Sequence, residues 1–177
     1  MERESGLGWN VSPSAVVSLR RSRKGEADVV ASVLGEAAEW LRRRGDPLWD
    51  ASEVSAKSIQ AEVDSGDYVL AFVADQAAGT ARVRREDALH WPDVAAGEAL
   101  YLHRLAVRRF YAGGPVSRAI VEWASTSAEE LGCRFLRLDC DASRHRLRAL
   151  YESMGFVFHS ERVVGPYTAA RFQRTLP

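Results

Sequence analysis

The chain has 177 residues, with 24 basic and 24 acidic side chains and a formal net charge of zero. With 46% apolar and 27% charged residues, it has the make-up of one globular domain that buries a core without disulfides or a structural metal. That excludes a largely disordered chain and a nucleic-acid binder working through bulk charge. A membrane span needs a run of about 18 apolar residues, and none occurs. Residues 1–14 lack the apolar stretch of a secretory signal and read as a flexible tail before a single domain over 15–177.

The elements follow in chain order. Residues 15–19 (AVVSL) form a short apolar run, read as a strand. Val30, Val33, Leu34, Ala37, Ala38 and Leu41 recur at helical spacing. Asp28 lies at the front of that helix and Arg42 to Arg44 at its end, as the helix dipole favours, and Gly45 stops it. Residues 45–49 form a turn ending on Trp49, and 52–63 give a second, weaker helix closed by Gly66. Residues 67–74 are a strand, 75–77 a turn, and 79–85 its antiparallel partner. A loop containing His90 and Trp91 leads to the strongest strand, 99–107. Gly113, Gly114 and Pro115 break it, and 116–131 form a long amphipathic helix ended by Gly132. Then come a strand at 135–138, a helical stripe of Leu147, Leu150, Tyr151 and Met154, and strands at 156–163 and 169–176. The strand–helix–strand stretch from 99 to 138 requires two parallel neighbours. The expected fold is therefore a mixed α/β sheet of about six to seven strands with helices on both faces.

Cys133 and Cys140 flank an apolar strand. Extended, about seven steps of roughly 3.3 Å separate them, too far for a disulfide. Free thiols without an export signal point to the cytoplasm. The four histidines are scattered and make no recognisable metal site with the cysteines, so no metal is expected.

The segment that carries chemistry is 102–122 (LHRLAVRRFYAGGPVSRAIVE), a strand entering a glycine turn and a helix. A helix start offers free N–H groups and positive dipole, hence an anion site. Gly113 and Gly114 allow close backbone approach, and Pro115 suits the first helical position. Turn chemistry alone favours a plain tight turn over an anion site, because glycine turns are common.

Residues 147–156 (LRALYESMGF) change that balance. Together with Leu105-Ala106-Val107 at the strand end, the turn at 112–117 and Tyr151 four residues before Gly155-Phe156, the chain resembles the GNAT superfamily of acyl-CoA-dependent N-acetyltransferases over about residues 68–156. The resemblance implies splayed central parallel strands and acetyl-CoA as co-substrate. Leu105, Ala106 and Val107 would hold the pantetheine arm. Ala112, Gly113, Gly114, Val116 and Ser117 would cradle the pyrophosphate, with Arg144 nearby. Tyr151 would protonate the leaving thiolate, as a phenol with a pKa of about 10 can at neutral pH. A plain core tyrosine is the rival reading.

His103, placed by alternation on the same face as Leu105, is the first choice for general base, with His90, Glu98 and Asp93 as rivals. Trp49 and Trp91 either line the acceptor site or cap the core. The turn departs from the family pattern: Ala112 stands where Arg or Gln is usual, and Pro115 and Ser117 at small-residue positions. Nine arginines against five acidic residues between 104 and 148 could compensate through Arg108, Arg109, Arg118, Arg144 or Arg146.

Acetyl transfer to a primary amine of a small molecule is the leading expectation. No nucleic-acid or membrane partner is expected, and homodimers are common among such proteins. The alternative is a non-catalytic module of the same fold that binds acyl-CoA or a protein partner.

Overall fold

The computed structural model describes residues 16–177; the tail expected over 1–14 lies outside them. Among the described residues, seven strands form one mixed sheet: β1 (Val17–Arg21), β2 (Tyr68–Val73), β3 (Gln76–Arg84), β4 (Ala99–Val107), β5 (Phe135–Asp141), β6 (Val157–Val164) and β7 (Tyr167–Thr175). Their order is β1-β2-β3-β4-β5-β7-β6. Only β4 and β5 run parallel; the other pairs are antiparallel. Among the described residues, no helix is long and apolar enough to cross a membrane.

Four helices cover the two faces: α1 (Ala27–Arg43), α2 (Ala56–Asp64), α3 (Val116–Glu130) and α4 (His145–Ser153). In α1 the buried stripe is Ala27, Val30, Val33, Leu34 and Ala38, with Asp28 and the pair Arg42 and Arg43 at the favourable dipole ends. The helix α2 starts one turn later than its pattern suggests, because the Ser55 hydroxyl caps it by accepting from the Ser58 N–H. These two helices cover one face with Tyr68, Leu70 and Ala106. The other face packs α3 and α4 through Val116, Ile120, Ala124, Tyr151 and Met154 onto Leu100, Leu102, Leu136, Leu138 and Phe172.

Two details differ from expectation. The β2–β3 turn is tighter than read, Val73 pairing with Gln76, because Ala74 adopts a left-handed φ of 51°. Gly79 is also more than a strand residue. A Cβ there would lie 2.8 Å from Val116 Cγ1 and 3.0 Å from the Ala106 carbonyl, so only glycine lets the start of α3 press against β3 and β4.

Candidate active site

The site begins where β4 and β5 part. Their last matched pair is Tyr101 with Arg137; beyond it β4 bonds only to β3 and β5 only to β7. A bulge sharpens the break. Arg82 pairs with His103 and Thr80 with Ala106, so two residues of β4 oppose one of β3, and Arg104 takes φ 51°. Its guanidinium donates to the Tyr68 hydroxyl at 3.0 Å, which helps hold a backbone shape unfavourable for arginine. The bulge reverses the alternation. Leu105 and Val107 pack on the α3 side, while Ala106 packs on the α1 side. The expectation that His103 and Leu105 share a face is thus overturned.

The turn before α3 places Gly113 at φ 76°, where only glycine is free of strain. The helix opens at Val116, with Pro115 as N-cap rather than first helical residue, and no side chain caps it. Its first bond runs from the Ala119 N–H to the Pro115 carbonyl, which leaves the early N–H groups of Val116 and Ser117 without helical partners. Two other expected donors are already used: the Ala112 N–H donates to the Arg109 carbonyl and the Gly114 N–H to the Tyr111 carbonyl, both at 3.2 Å.

Four of the five arginines expected near phosphate, all but Arg146, have other partners. Arg108 pairs with Glu36 at 2.6 Å, Arg109 lies 3.9 Å over the Trp40 ring, and Arg118 donates to the Ser153 carbonyl. Arg144 donates to Asp46 at 2.9 Å and to the Pro47 carbonyl at 2.7 Å. In this structure it ties the α1–α2 loop to the start of α4, and a phosphate would have to share it.

Tyr151 is 7% exposed and sits against Phe156 and Phe172 with centroids about 6 Å away. Burial, with smaller contributions from Cys140 and Asp139, raises its phenol well above the ordinary value. Burial also pushes the Cys140 thiol up to about 11, so it is no thiolate nucleophile at neutral pH.

On the opposite face a polar cluster fills the opening. Counting two residues beyond the last matched pair brings His103 on β4 and Asp139 on β5 to its two sides. The 85–98 loop supplies Asp87 and His90. The closest ligating atoms of Asp87, His103 and Asp139 all lie within 4.8 Å of one another. His90 Nδ1 lies 3.0 Å from Asp87 Oδ2, and its Nε2 lies 2.9 Å from the Tyr167 hydroxyl and 3.5 Å from Asp139 Oδ2.

Burial pushes the His103 pKa down to about 4, against the pull of Asp87. It is neutral and weakly basic at pH 7, so the expectation that it is the base gives way. Burial works against a charged His90 too, but the Asp87 hydrogen bond and the charges of Asp139 and Asp87 outweigh it and raise its pKa. Burial raises Asp139 to about 6. The other rivals have arginine partners: Glu98 pairs with Arg137 at 3.2 Å, and Asp93 takes two bonds from the buried Arg171.

Trp91 is 3% exposed and lies under Arg137 and Arg171, about 4.9 and 4.8 Å from its ring. It caps the core beside Ala99 and Tyr101 and offers no face to a ligand here, contrary to the acceptor-lining role. Trp49 packs half-buried against the α1–α2 cluster. Asp87, Asp139 and Tyr167 were absent from the expected site. Asp139 carried the one available signal, a carboxylate between the buried Leu138 and Cys140.

Strands that part over an uncapped helix start, with a buried phenol on one face and a histidine–carboxylate cluster on the other, suit acyl transfer to an amine. Residues 34–156 match the model of the Acetyltransferase (GNAT) family. The chain belongs to that family, and is an acyltransferase of the acetyl-CoA-dependent N-acetyltransferase kind. It is similar to the uncharacterized N-acetyltransferase YesJ of Bacillus subtilis (strain 168), at 30% identity over 140 residues, 75% of this chain and 77% of that protein. A GNAT-family acetyltransferase from Listeria monocytogenes 4b F2365 superposes with a TM-score of 0.76 at 25% identity, covering 90% of this chain and 95% of that one. The PaiA N-acetyltransferase from Thermoplasma acidophilum, solved with coenzyme A, shares the fold at a TM-score of 0.67 and 14% identity over 88% of this chain and 98% of that one.

Proposed function

We propose that the protein transfers an acetyl group from acetyl-CoA to a primary amine of a small molecule, the amine attacking the thioester directly. The observation that carries this is the parting of β4 and β5 after Tyr101 and Arg137. It opens a slot reached from one face by Tyr151 and from the other by the polar cluster.

Leu105, Ala106 and Val107 edge that slot, and the backbone groups they turn away from β3 suit a pantetheine arm. The N–H groups of Gly113, Val116 and Ser117 suit the pyrophosphate. The coenzyme A complex of the Thermoplasma acidophilum protein supports a CoA site on this fold. Tyr151, kept protonated by burial, supplies the proton for the departing sulfur. Trp49, on the loop that Arg144 ties to α4, borders the acceptor side. The free, buried cysteines fit a reducing, cytoplasmic setting.

The test is thiol release from acetyl-CoA in the presence of ethanolamine, putrescine or lysine amide, with acetyl-CoA binding measured alongside. The expected result is binding with amine-dependent thiol release. Binding without release from any amine would favour the non-catalytic module, and absence of both would remove the acetyltransferase reading.

A further inference from the structure

The thioester half of the reaction leaves the cluster of Asp87, His90, Asp139 and Tyr167 without a role. Its hydrogen bonds have a direction. Both Asp87 oxygens lie 3.0 to 3.1 Å from His90 Nδ1, and one also accepts the His90 backbone N–H at 3.0 Å. A carboxylate only accepts, so in the neutral imidazole Nδ1 carries the proton and Nε2 presents its lone pair. The Tyr167 hydroxyl at 2.9 Å therefore donates to Nε2. This is the arrangement of an oriented base, with Asp87 fixing the tautomer and stabilising the imidazolium that forms.

Asp139 completes the site. Its side chain is nine-tenths buried. One oxygen, Oδ2, lies 3.5 Å from His90 Nε2. The other, Oδ1, is shielded from solvent and has no hydrogen-bond partner among the described residues. An unfilled buried carboxylate oxygen is costly and calls for a strong donor.

Resting on the acetyltransferase reading, we infer that the acceptor is a cationic primary amine whose ammonium docks on Asp139, and that His90, held by Asp87, takes the proton the ammonium must lose, through the Tyr167 hydroxyl. Tyr167 passes its own proton to His90 Nε2 as it receives one from the ammonium, so the phenol is unchanged and the imidazole becomes imidazolium. The freed nitrogen lone pair forms the C–N bond and the C–S bond breaks. Tyr151 gives the sulfur a proton, which the surplus proton of the attached nitrogen replaces. His90 then releases its proton to solvent. Asp139 and His90 thus select an amine that arrives charged and reacts neutral.

The groups facing His90 are Asp87 on its own loop, His103 on β4, Asp139 on β5, Arg162 on β6 and Tyr167 on β7; Arg171 faces Asp139, and Arg82 and Arg84 face His103. The two carboxylates outweigh burial and Arg162 at His90. A base is active when unprotonated, so kcat/KM falls as pH drops through a point above the ordinary imidazole value and levels off at higher pH.

The experiment is the pH profile of kcat/KM for whichever of ethanolamine, putrescine and lysine amide is acetylated fastest. In His90→Gln the rate at pH 7 falls about 100-fold or more, the plateau disappears, and the remaining rate climbs tenfold per pH unit toward the amine's own pKa. In Asp87→Asn, which also serves should His90→Gln fail to fold, the inflection moves to lower pH. Retention of the wild-type rate and inflection in His90→Gln, or an unmoved inflection in Asp87→Asn, overturns this inference and leaves the acetyltransferase reading standing. Absence of any acetyl-CoA-dependent thiol release in the wild type overturns both.

Discussion

Tyr151→Phe is expected to lower kcat about 100-fold or more, the range general acid catalysis supplies, while acetyl-CoA affinity changes less than about twofold. The substitution removes one oxygen and keeps the ring against Phe156 and Phe172, so the core remains filled. What disappears is the proton for the leaving sulfur. Burial holds the phenol protonated well beyond neutral pH, so wild-type activity keeps its acid on the alkaline side and the loss in the variant is the same at pH 7 and pH 9. Single-turnover measurement of thiol release, with thermal unfolding as a control, checks this. A tyrosine that merely packs would give unchanged turnover.

Asp139→Asn is expected to reduce activity and increase stability together. The Asp139 carboxyl is raised from 3.8 to about 6 in the fold by burial. A raised carboxyl contributes stability that is fully present below its unfolded pKa and lost as pH rises through the folded one. Above about pH 6 the ionised group therefore makes the fold less stable by about 3 kcal/mol. Asparagine has the same shape and no charge. The variant should be more stable than wild type by about 2 kcal/mol at pH 8, since His90 loses some support, and the difference should vanish below about pH 4. His103 has the opposite sign: its depressed pKa removes stability as pH falls from about 6.5 to about 4. That contribution is common to both proteins and cancels in the comparison. Denaturant unfolding at pH 8 and pH 4 measures it. For the amine, KM should rise at least tenfold. A protein that is less stable at pH 8 after the change would make Asp139 a structural ion-pair partner instead. Gain of stability with loss of activity is what a group retained for function leaves behind.

Much of the framework was legible in the chain. The strand 99–107 was read with the bounds it has, because apolar residues dominate both its ends, with only His103 and Arg104 between them. Its parallel pairing with β5 followed from the helix between them. The stripes of α1 and α3 also appear where their 3.6-residue spacing put them, apart from Leu131, which ends α3 exposed, and Leu150 of the α4 stripe is exposed too. Departures arise where one backbone angle or one distant partner decides. Nothing in Leu102-His103-Arg104-Leu105 announces that Arg104 takes a left-handed φ, yet that single angle sends Leu105 to the face opposite His103. Arg144 and Trp91 were placed by sequence position. Whether a guanidinium is free or held by Asp46, and whether an indole is open or covered by two arginines, depends on tertiary neighbours. The base cluster was hidden for the same reason: Tyr167 meets His90 across 77 positions of sequence.

The coenzyme's diphosphate is proposed to sit on the uncapped start of α3, and acetyl-CoA titration calorimetry on wild type and Ser117→Glu tests that placement. A glutamate in the first turn suits the helix dipole and should leave the fold as stable as before or slightly more so, but it sets a negative charge where the diphosphate would lie. The expected result is micromolar binding by the wild type, on the order usual for an enzyme's substrates, and affinity at least tenfold weaker in Ser117→Glu. Equal affinity in the two proteins, or no heat from the wild type at roughly millimolar acetyl-CoA, the upper end of that usual range, would contradict it.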